Sequence, residues 1–419
     1  MGVTESSERG RGGIVERPGL VVVVLLGAAF GQLLIVDLAL KLVGVEIWIF
    51  GGSLTISELT RLFWGGVARG LVFGLAGVGL SMTYSILTFA NFSHGDLVTT
   101  GAFTGWGVTY LIIGLGTLTS SIGLPVVGDV SVTYLVSSVG TLSAGELLLV
   151  RPGGIGSPGS IGANVVTSPV AILGGMLFAG VATAAVALAI DRVVYRPLRD
   201  REGIILLISS VGVAFALRYL IQFVYGARTR GVRASFDAGS PAFELLGYTV
   251  VTGEGDLNVF SLSQFDLNAA TLIVVSVPVM AGLHLLLQRT KLGTAMRAMA
   301  DNKDLALITG IPTERIVTAT WLIGGGITGV SGFLIILFRN SIRFNVGWLL
   351  LLLIFSAVIL GGIGSIYGAI AGGVIIGLVL SLSTIWLPSD FSARVFAFLA
   401  MILVLLFRPQ GLFGGVETA

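Results

Sequence analysis

Residues 63–87 read FWGGVARGLVFGLAGVGLSMTYSIL, a run in which Arg69 is the single charged residue. About 20 apolar residues are enough to cross the hydrocarbon core of a bilayer as a helix. The run therefore predicts a membrane-spanning helix. The whole chain agrees, because 54% of its 419 residues are apolar, 11% are charged, and its mean hydropathy is +0.99. Soluble proteins carry about 25% charged residues, so a soluble class is excluded.

Further apolar runs flank this stretch and predict an all-α integral membrane protein, a polytopic bundle of about 8–10 transmembrane helices. The predicted spans lie near 19–43, 63–87, 96–116, 168–190, 203–225, 268–288, 316–337, 347–363, 366–387 and 391–407. The span at 96–116 also fits a half-buried helix, or one broken near 91–96.

The remaining segments are polar or glycine-rich. We expect a polar N-terminal tail at 1–18, one transmembrane domain at 19–414 and a C-terminal tail at 415–419. Two long insertions, at 117–167 and 226–267, are expected to be external and non-helical. Each of them serves either as a surface for partner docking or as a variable loop.

Basic residues in two short loops indicate the orientation. The loop at 191–202 holds four arginines, and the segment at 289–303 holds two arginines and two lysines. Two predicted spans separate them, so both lie on one side, and basic short loops favour the cytoplasm. The segment 289–314 is then a cytoplasmic loop, and both termini are cytoplasmic. Arginines at 228–233 fall outside, in a long loop that obeys this rule poorly.

Glycines recur every four residues in two spans. Residues four apart lie on one helix face, so glycines at that spacing let a neighbouring helix approach closely. The predicted packing residues are Gly66, Gly70, Gly74, Gly364, Gly368 and Gly372. A sliding interface would use the same small residues, so that alternative stays open.

A few charged or ionisable residues lie inside the predicted spans, where a charge at the helix centre costs about 2.5–3.5 kcal/mol. Asp37 and Arg69 lie at matching depths, which favours a mutual ion pair. Arg218 is close enough to a helix end for its head group to reach the interface. His284 is expected to be packed or interfacial.

Most kinds of chemistry find no support in the sequence. Cysteine is absent and His94 and His284 are the only histidines, too few for a His- or Cys-based metal site. No G-x-x-x-x-G-K-[ST] phosphate loop is present, so we expect no ATP or other cofactor on this chain. We therefore expect no catalytic residues, no metal, no enzymatic activity and no nucleic-acid partner.

Five motifs in order along the chain carry a family resemblance. They are NFSHGD at 91–96, preceded by GLVFGLAGVGLSMTYSIL and followed by GAF, then VVYRPLR at 193–199, TKLGTAMRAMADNKDLALITGI at 290–311, ILGGIGSIYGAIAGG at 359–373 and FRPQGLFG at 407–414. Together they resemble the LivH-type permeases of branched-chain amino acid ABC importers. The two insertions and the extra N-terminal span depart from that family's usual plan.

The resemblance implies a multi-pass permease of the cytoplasmic membrane that moves branched-chain or other small amino acids into the cell. Its implied partners are a second, LivM-like permease, two ABC ATPase subunits that bind ATP, an extracellular substrate-binding protein and membrane lipid. Related permeases carry urea or short amides, which is one alternative. A self-sufficient, ion-coupled secondary transporter is the other, and it would need an ionisable pathway within the spans.

The motif at 91–96 has two interpretations. Ser93-His94-Gly95-Asp96 has the form of a capping box, in which Ser93 caps an early N–H and Asp96 bonds back to the cap residue. Alternatively, a broken helix exposes its free end to a substrate path, as in other transporters. Asn91, Ser93, His94 and Asp96 would then line the translocation pathway.

The segment 290–311 is predicted to form one or two short helices that contact the ATPase. Asp304-Leu305-Ala306 followed by Gly310 loosely matches the E-A-A-x-x-x-G element of ABC permeases, without its I-x-L-P continuation. Gly310 would let the chain turn back. Methionines adapt to varied grooves, so Met296 and Met299 are expected to form an apolar docking face with Ala300. The predicted coupling residues are Met296, Arg297, Met299, Asp304, Ala306 and Gly310.

Overall fold

The computed structural model describes residues 31–32, 56–114, 122–124, 128–130, 148–149, 169–199, 201, 203–231, 243–245, 248–250, 267–385 and 392–413. Gly31 and Gln32 are helical, but the rest of the span predicted at 19–43 lies outside the described residues. The two predicted tails, 1–18 and 415–419, also lie outside them.

Eleven helices follow in the described part of the chain from residue 56 onward. They are α1 Ile56–Leu87, α2 His94–Gly114, α3 Pro169–Ile190, α4 Gly203–Tyr225, α5 Leu267–Arg289, α6 Lys291–Asp301, α7 Lys303–Ile308, α8 Thr313–Arg339, α9 Val346–Gly361, α10 Ile366–Leu382 and α11 Arg394–Phe407. A π-helix, Asp191–Tyr195, and a 3₁₀ turn, Arg196–Leu198, extend α3.

These helices confirm the predicted all-α polytopic membrane class. Six of those in the described ranges are long and apolar enough to cross a membrane: α1, α3, α4, α5, α8 and α10. The apolar helices α9 and α11 are shorter, at 16 and 14 residues. The break predicted near 91–96 lies between α1 and α2, at residues 88–93.

Short antiparallel strand pairs lie in and beside the predicted insertions. Within the described residues, β1 (Ile122–Leu124) pairs with β2 (Gly128–Val130), and β4 (Phe243–Leu245) pairs with β5 (Tyr248–Val250). The third pair joins β3 (Arg230–Gly231) to β6 (Ser341–Ile342), which ties the chain after α4 to the turn after α8.

The core lies between α1, α2, α3, α8 and α10. Trp106 of α2 is fully buried, stacks on Phe333 of α8 with ring centroids 4.9 Å apart, and donates to the Phe333 carbonyl at 3.2 Å. The indole N–H of Trp106 is thereby satisfied away from water. We call the end of the bundle formed by 191–199, α6 and α7 the inner end, after the predicted orientation.

The glycines of α1 lie against the backbone of α10. A Cβ added to Gly70 would lie 2.6 Å from Val374 Cα, and one added to Gly74 would lie 3.1 Å from Ile370 Cα. Gly66 meets Ser381 and Leu378 of α10 in the same way. Any side chain here would push the two helices apart, which is why the strip contains glycine.

The second predicted strip is corrected at its first member. Gly364 lies in the turn between α9 and α10 with φ of +86°, so it serves the turn rather than a helix face. Gly368 and Gly372 do lie on α10, where added Cβ atoms would meet the backbone of Gly361 and Ala357 in α9. The four-residue spacing therefore continues by coincidence across a helix boundary.

Candidate functional site

Helix α2 begins deep inside the bundle. After Leu87 the chain turns back along α1, and His94, the first residue of α2, places its Nε2 2.9 Å from the carbonyl oxygen of Ala76. Ala76 lies about three turns before the end of α1, which is about 16 Å along the axis. A helix that starts at this depth needs internal partners for its polar groups, because the hydrocarbon core of a bilayer supplies no water for them.

Asn91, Ser93 and Tyr195 form a buried polar cluster at this break. The Asn91 Oδ1 atom accepts from the Ser93 amide at 3.0 Å, from the Ser93 hydroxyl at 2.7 Å and from the Tyr195 hydroxyl at 3.2 Å. The Ser93 and Tyr195 hydroxyls lie 2.9 Å apart. Tyr195 also stacks on Trp321 of α8, with centroids 5.4 Å apart. The cluster thus joins the break to the π-helix and to α8.

The capping-box interpretation is wrong. The Ser93 amide, which Asp96 was expected to satisfy, donates instead to Asn91. Asp96 is fully buried and turns sideways, where its two oxygens accept from Arg218 Nε at 3.1 Å and Nη2 at 2.9 Å. Two parallel bonds of this kind are the strongest geometry of an arginine–carboxylate pair. They hold α2 against α4.

The expected interfacial position of Arg218 is therefore wrong as well. Its side chain is 8% exposed, and its Cζ lies 4.1 Å from the ring centroid of Trp348 at the start of α9. The guanidinium thus lies between a carboxylate and an aromatic face, both of which stabilise a desolvated cation. Asp96, Arg218 and Trp348 link three helices at one point.

The first turns of α2 and α9 cross at two glycines. A Cβ on Gly95 would lie 2.8 Å from the carbonyl oxygen of Gly347, and the Gly347 amide donates to Thr99 Oγ1 at 3.0 Å. Asn340, with φ of +52°, ends α8 and turns the chain back toward this crossing. Two helices that start inside the bundle therefore meet at their N-terminal turns.

The four residues predicted to line a pathway are all enclosed in this conformation. Asn91, Ser93 and Asp96 are 0% exposed and His94 is 2% exposed. All four lie at the break, but their side chains contact different neighbours. Asn91 and Ser93 bond to Tyr195, His94 bonds to α1, and Asp96 bonds to α4. Their role in translocation stays a prediction. Tyr195, Trp348 and Thr99 were not singled out from the sequence, although Tyr195 lies within the VVYRPLR motif.

The predicted coupling segment forms two short helices at the inner end. Thr290 caps α6 by accepting from the Gly293 amide, and Asn302 caps α7 by accepting from the Leu305 amide. Gly310 has φ of +81°, as expected for the residue that turns the chain back.

The docking face predicted on α6 is corrected. Met296 and Met299 are 4% and 3% exposed, because they pack against the protein's own core, and Ala306 is buried as well. The outward apolar surface lies instead on α7, where Leu305, Leu307 and Ile308 are 57%, 49% and 83% exposed. We call these three residues the α7 surface. Asp304 is exposed beside it, and Arg297 donates to Gln288 Oε1 at 2.8 Å.

Ion pairs join the segment 191–199, called the inner loop, to α8. Arg199 donates to Asp191 at 2.6 Å and to Glu314 at 2.9 Å, and Arg196 lies 3.3 Å from the second Glu314 oxygen. Two of the four arginines at 191–202 are therefore paired. Within the described residues, no group of three His, Cys, Asp or Glu side chains could hold a metal ion. His284 is exposed and bonds to the Tyr367 hydroxyl at 2.7 Å.

A known protein family matches the part of the chain that forms this site. A family model described as "Branched-chain amino acid transport system / permease component" matches residues 62–406, which include the break, the inner loop and α6–α7. No solved structure matches the chain.

Curated relatives agree with the family model. The high-affinity branched-chain amino acid transport permease LivH of Escherichia coli K12 is 29% identical over 84% of this chain and 94% of its own length. BraD of Pseudomonas aeruginosa, with the same description, is 27% identical over 84% of this chain and 95% of its own. A probable LivH of Methanocaldococcus jannaschii is 38% identical over 37% of this chain and 51% of its own.

These relatives are permease proteins, that is, transport subunits rather than enzymes, and such permeases work in importer systems with other subunits. Together with the apolar helices they establish a multi-pass membrane protein. The chain belongs to the permease family of branched-chain amino acid transport systems.

Proposed function

We propose that this permease is one of two pore-forming subunits of an ATP-driven importer for branched-chain or other small amino acids. A second, LivM-like permease completes the pore, two ABC ATPases bind ATP at the inner end, and an external binding protein delivers the substrate. The inner end is then cytoplasmic, with both termini on that side. The amino acid specificity follows the descriptions of LivH and BraD.

The α7 surface is the observation that supports ATPase docking. Three large aliphatic side chains in one short helix are exposed, while the neighbouring Met296, Met299 and Ala306 anchor the segment to the bundle. Each such side chain gains about 1.5–3 kcal/mol when it is fully buried. A short helix with an apolar face fits a groove in a partner protein. Because the segment is anchored to the bundle, a movement of the bound ATPase would displace the membrane-spanning helices.

A route from this segment into the spans is also present. Arg297 of α6 donates to Gln288, Gln288 donates to the Tyr367 hydroxyl at 3.3 Å, and Tyr367 lies at the start of α10. Helix α10 packs on the glycine strip of α1. A displacement of α6 thus has direct contacts through which to reach α10 and α1.

The first test is purification of the tagged permease from its native membrane in mild detergent, with mass spectrometry of the proteins that co-purify. We expect a Walker-motif ATPase and a second permease. A chain that purifies alone and moves solute on an ion gradient would overturn the importer proposal in favour of a secondary transporter.

The second test places a charge in the α7 surface by Ile308→Glu. We expect loss of the ATPase from the purified complex and loss of ATP-driven leucine uptake, while the permease stays inserted and monodisperse. Ile363→Glu is the comparison variant: it adds the same charge at an isoleucine of the same end of the bundle that is 48% exposed but lies outside α7, in the turn between α9 and α10. An Ile308→Glu variant that keeps its ATPase would refute the docking role.

A further inference from the structure

A cavity opens at the end of the bundle opposite to α6 and α7. Its volume is about 480 Å³, and residues of α1, α5, α8, α9, α10 and α11 line it. Helix α8 runs about 40 Å from its start at the inner end to Arg339 in the cavity wall. The volume falls within the range of about 300–1,000 Å³ that is usual for small-molecule sites.

Three arginines give the cavity wall a concentrated positive charge. Arg69, Arg339 and Arg394 all line it, Arg69 experiences the charge of Arg339, and Arg339 experiences that of Arg394. No Asp or Glu stands among the described lining residues. Asp37, the predicted partner of Arg69, and Asp390 both lie outside the described part of the chain.

Arg69 is the most informative of the three. Its Nε atom is buried without a hydrogen-bond partner among the described residues, and its Cζ lies 4.6 Å from the ring centroid of Phe338. An ionisable side chain inside a membrane span marks a functional site by default, because its insertion is costly. Arginine, with its planar fork of donors, suits a carboxylate in particular.

The rest of the wall is mostly aliphatic and aromatic. Leu272, Ile335, Leu350 and Leu353 contribute branched side chains, and the Ser341 and Ser392 hydroxyls are the uncharged polar groups. A ligand that suits this surface carries one carboxylate for the arginines and a short aliphatic group for the wall. A serine hydroxyl oxygen can accept a hydrogen bond from an ammonium group.

We propose that this cavity is a substrate site of the permease, in which Arg69 binds the carboxylate of a small aliphatic amino acid. The inference rests on the proposed function and adds to it a location and a recognition chemistry. The permease itself, and not only an external binding protein, would then select for a free carboxylate.

Chemical modification tests the site directly on the whole importer in detergent. Phenylglyoxal labels accessible arginines, and mass spectrometry of the peptide that contains Arg69 reports the labelled fraction. We expect leucine to protect Arg69, and leucinamide, which lacks the carboxylate, and inorganic phosphate not to protect it. Equal protection by phosphate would indicate a general anion site, and an Arg69 that is unreactive without ligand would indicate an internal partner. Either result overturns the proposal.

Transport in proteoliposomes gives the second readout. A charge-assisted hydrogen bond contributes about 1.5–3 kcal/mol, so Arg69→Gln is expected to lower kcat/KM for ATP-driven leucine uptake about 10- to 100-fold. Arg69→Lys keeps the charge and should retain more activity. Arg61→Gln is the matched control on α1, because Arg61 is 62% exposed and pairs with Glu58.

The two proposals fail in different ways. If the Arg69→Gln complex pumps leucine as well as the wild-type complex does, the proposed substrate site is wrong and the importer proposal stands. A wild-type complex with no ATP-driven uptake at all overturns the importer proposal itself, whatever the labelling of Arg69 shows.

Discussion

Replacing Asp96 by leucine tests the buried ion pair that holds α2 against α4. Asp96 is 0% exposed, Arg218 is 8% exposed, and two hydrogen bonds of 2.9 and 3.1 Å join them. Removing one partner of a buried pair costs about 3–5 kcal/mol, because the other charge stays buried alone. Trp348 still faces the guanidinium in the variant and attracts it by about 2 kcal/mol. We therefore expect a loss near the lower limit, about 3 kcal/mol.

A double-mutant cycle separates the pair from the packing around it. Arg218→Met alone leaves the carboxylate unpaired and is expected to cost about 4–5 kcal/mol. The double variant removes both charges, so its loss should be smaller than the sum of the single losses by at least about 2 kcal/mol. The free energy of unfolding would be measured by SDS titration in mixed micelles, followed by tryptophan fluorescence.

An exposed pair provides the control for this cycle. Arg61 and Glu58 lie 3.6 Å apart and are 62% and 42% exposed, so Arg61→Gln should change stability by no more than about 0.5 kcal/mol. If the loss of unfolding free energy in the double variant equals the sum of the two single losses, the reasoning is refuted. Additive losses would mean that Asp96 and Arg218 do not interact.

Two glycine predictions use the same preparations. Gly70→Ala should cost about 1–3 kcal/mol in the SDS titration, because the new Cβ would lie 2.6 Å from Val374 Cα, whereas Gly65→Ala, with open space around it, should be neutral or slightly stabilising. Equal stabilities would show that α1 and α10 do not pack as described. Gly310→Val should abolish ATP-driven uptake without loss of insertion, because φ of +81° strains a β-branched residue by about 1–3 kcal/mol. Gly282→Val, in open space on α5, should keep uptake, and an active Gly310→Val would contradict the coupling role.

Helix positions in this protein could be predicted because one physical requirement dominates them. A segment in lipid must satisfy its own backbone, so long apolar runs become helices whatever their neighbours are. The spans near 168–190 and 203–225 accordingly match α3 and α4 to within a few residues. The break before α2 could also be predicted, since polar residues after Leu87 interrupt the apolar run between two spans.

Side-chain partners could not be predicted in the same way. In a capping box Asp96 would bond to the backbone of Ser93, three residues earlier. It bonds instead to Arg218, which lies 122 positions further along the chain. The choice depends on how α2 and α4 pack, and a short motif contains no information about that. Met296 shows the same limit, because an amphipathic helix has an apolar face whether it packs on its own bundle or on a partner.

The role predicted for four residues at 91–96 stays a prediction, for a related reason. Their burial describes one conformation, and a pathway is defined by the difference between two. A sequence names residues that are unusual for a span, such as His94. It does not say in which state they face the substrate.

The π-helix at Asp191–Tyr195 sets the rotation between α3 and the connection that follows it. A π turn holds about one residue more than an α turn, so the same residues wound as a regular α-helix would rotate everything downstream by about 100°. Tyr195 would then leave Asn91 and Trp321, and Arg199 would leave Asp191. The extra residue in this turn therefore decides which face of the connection between α3 and α4 meets the break and α8.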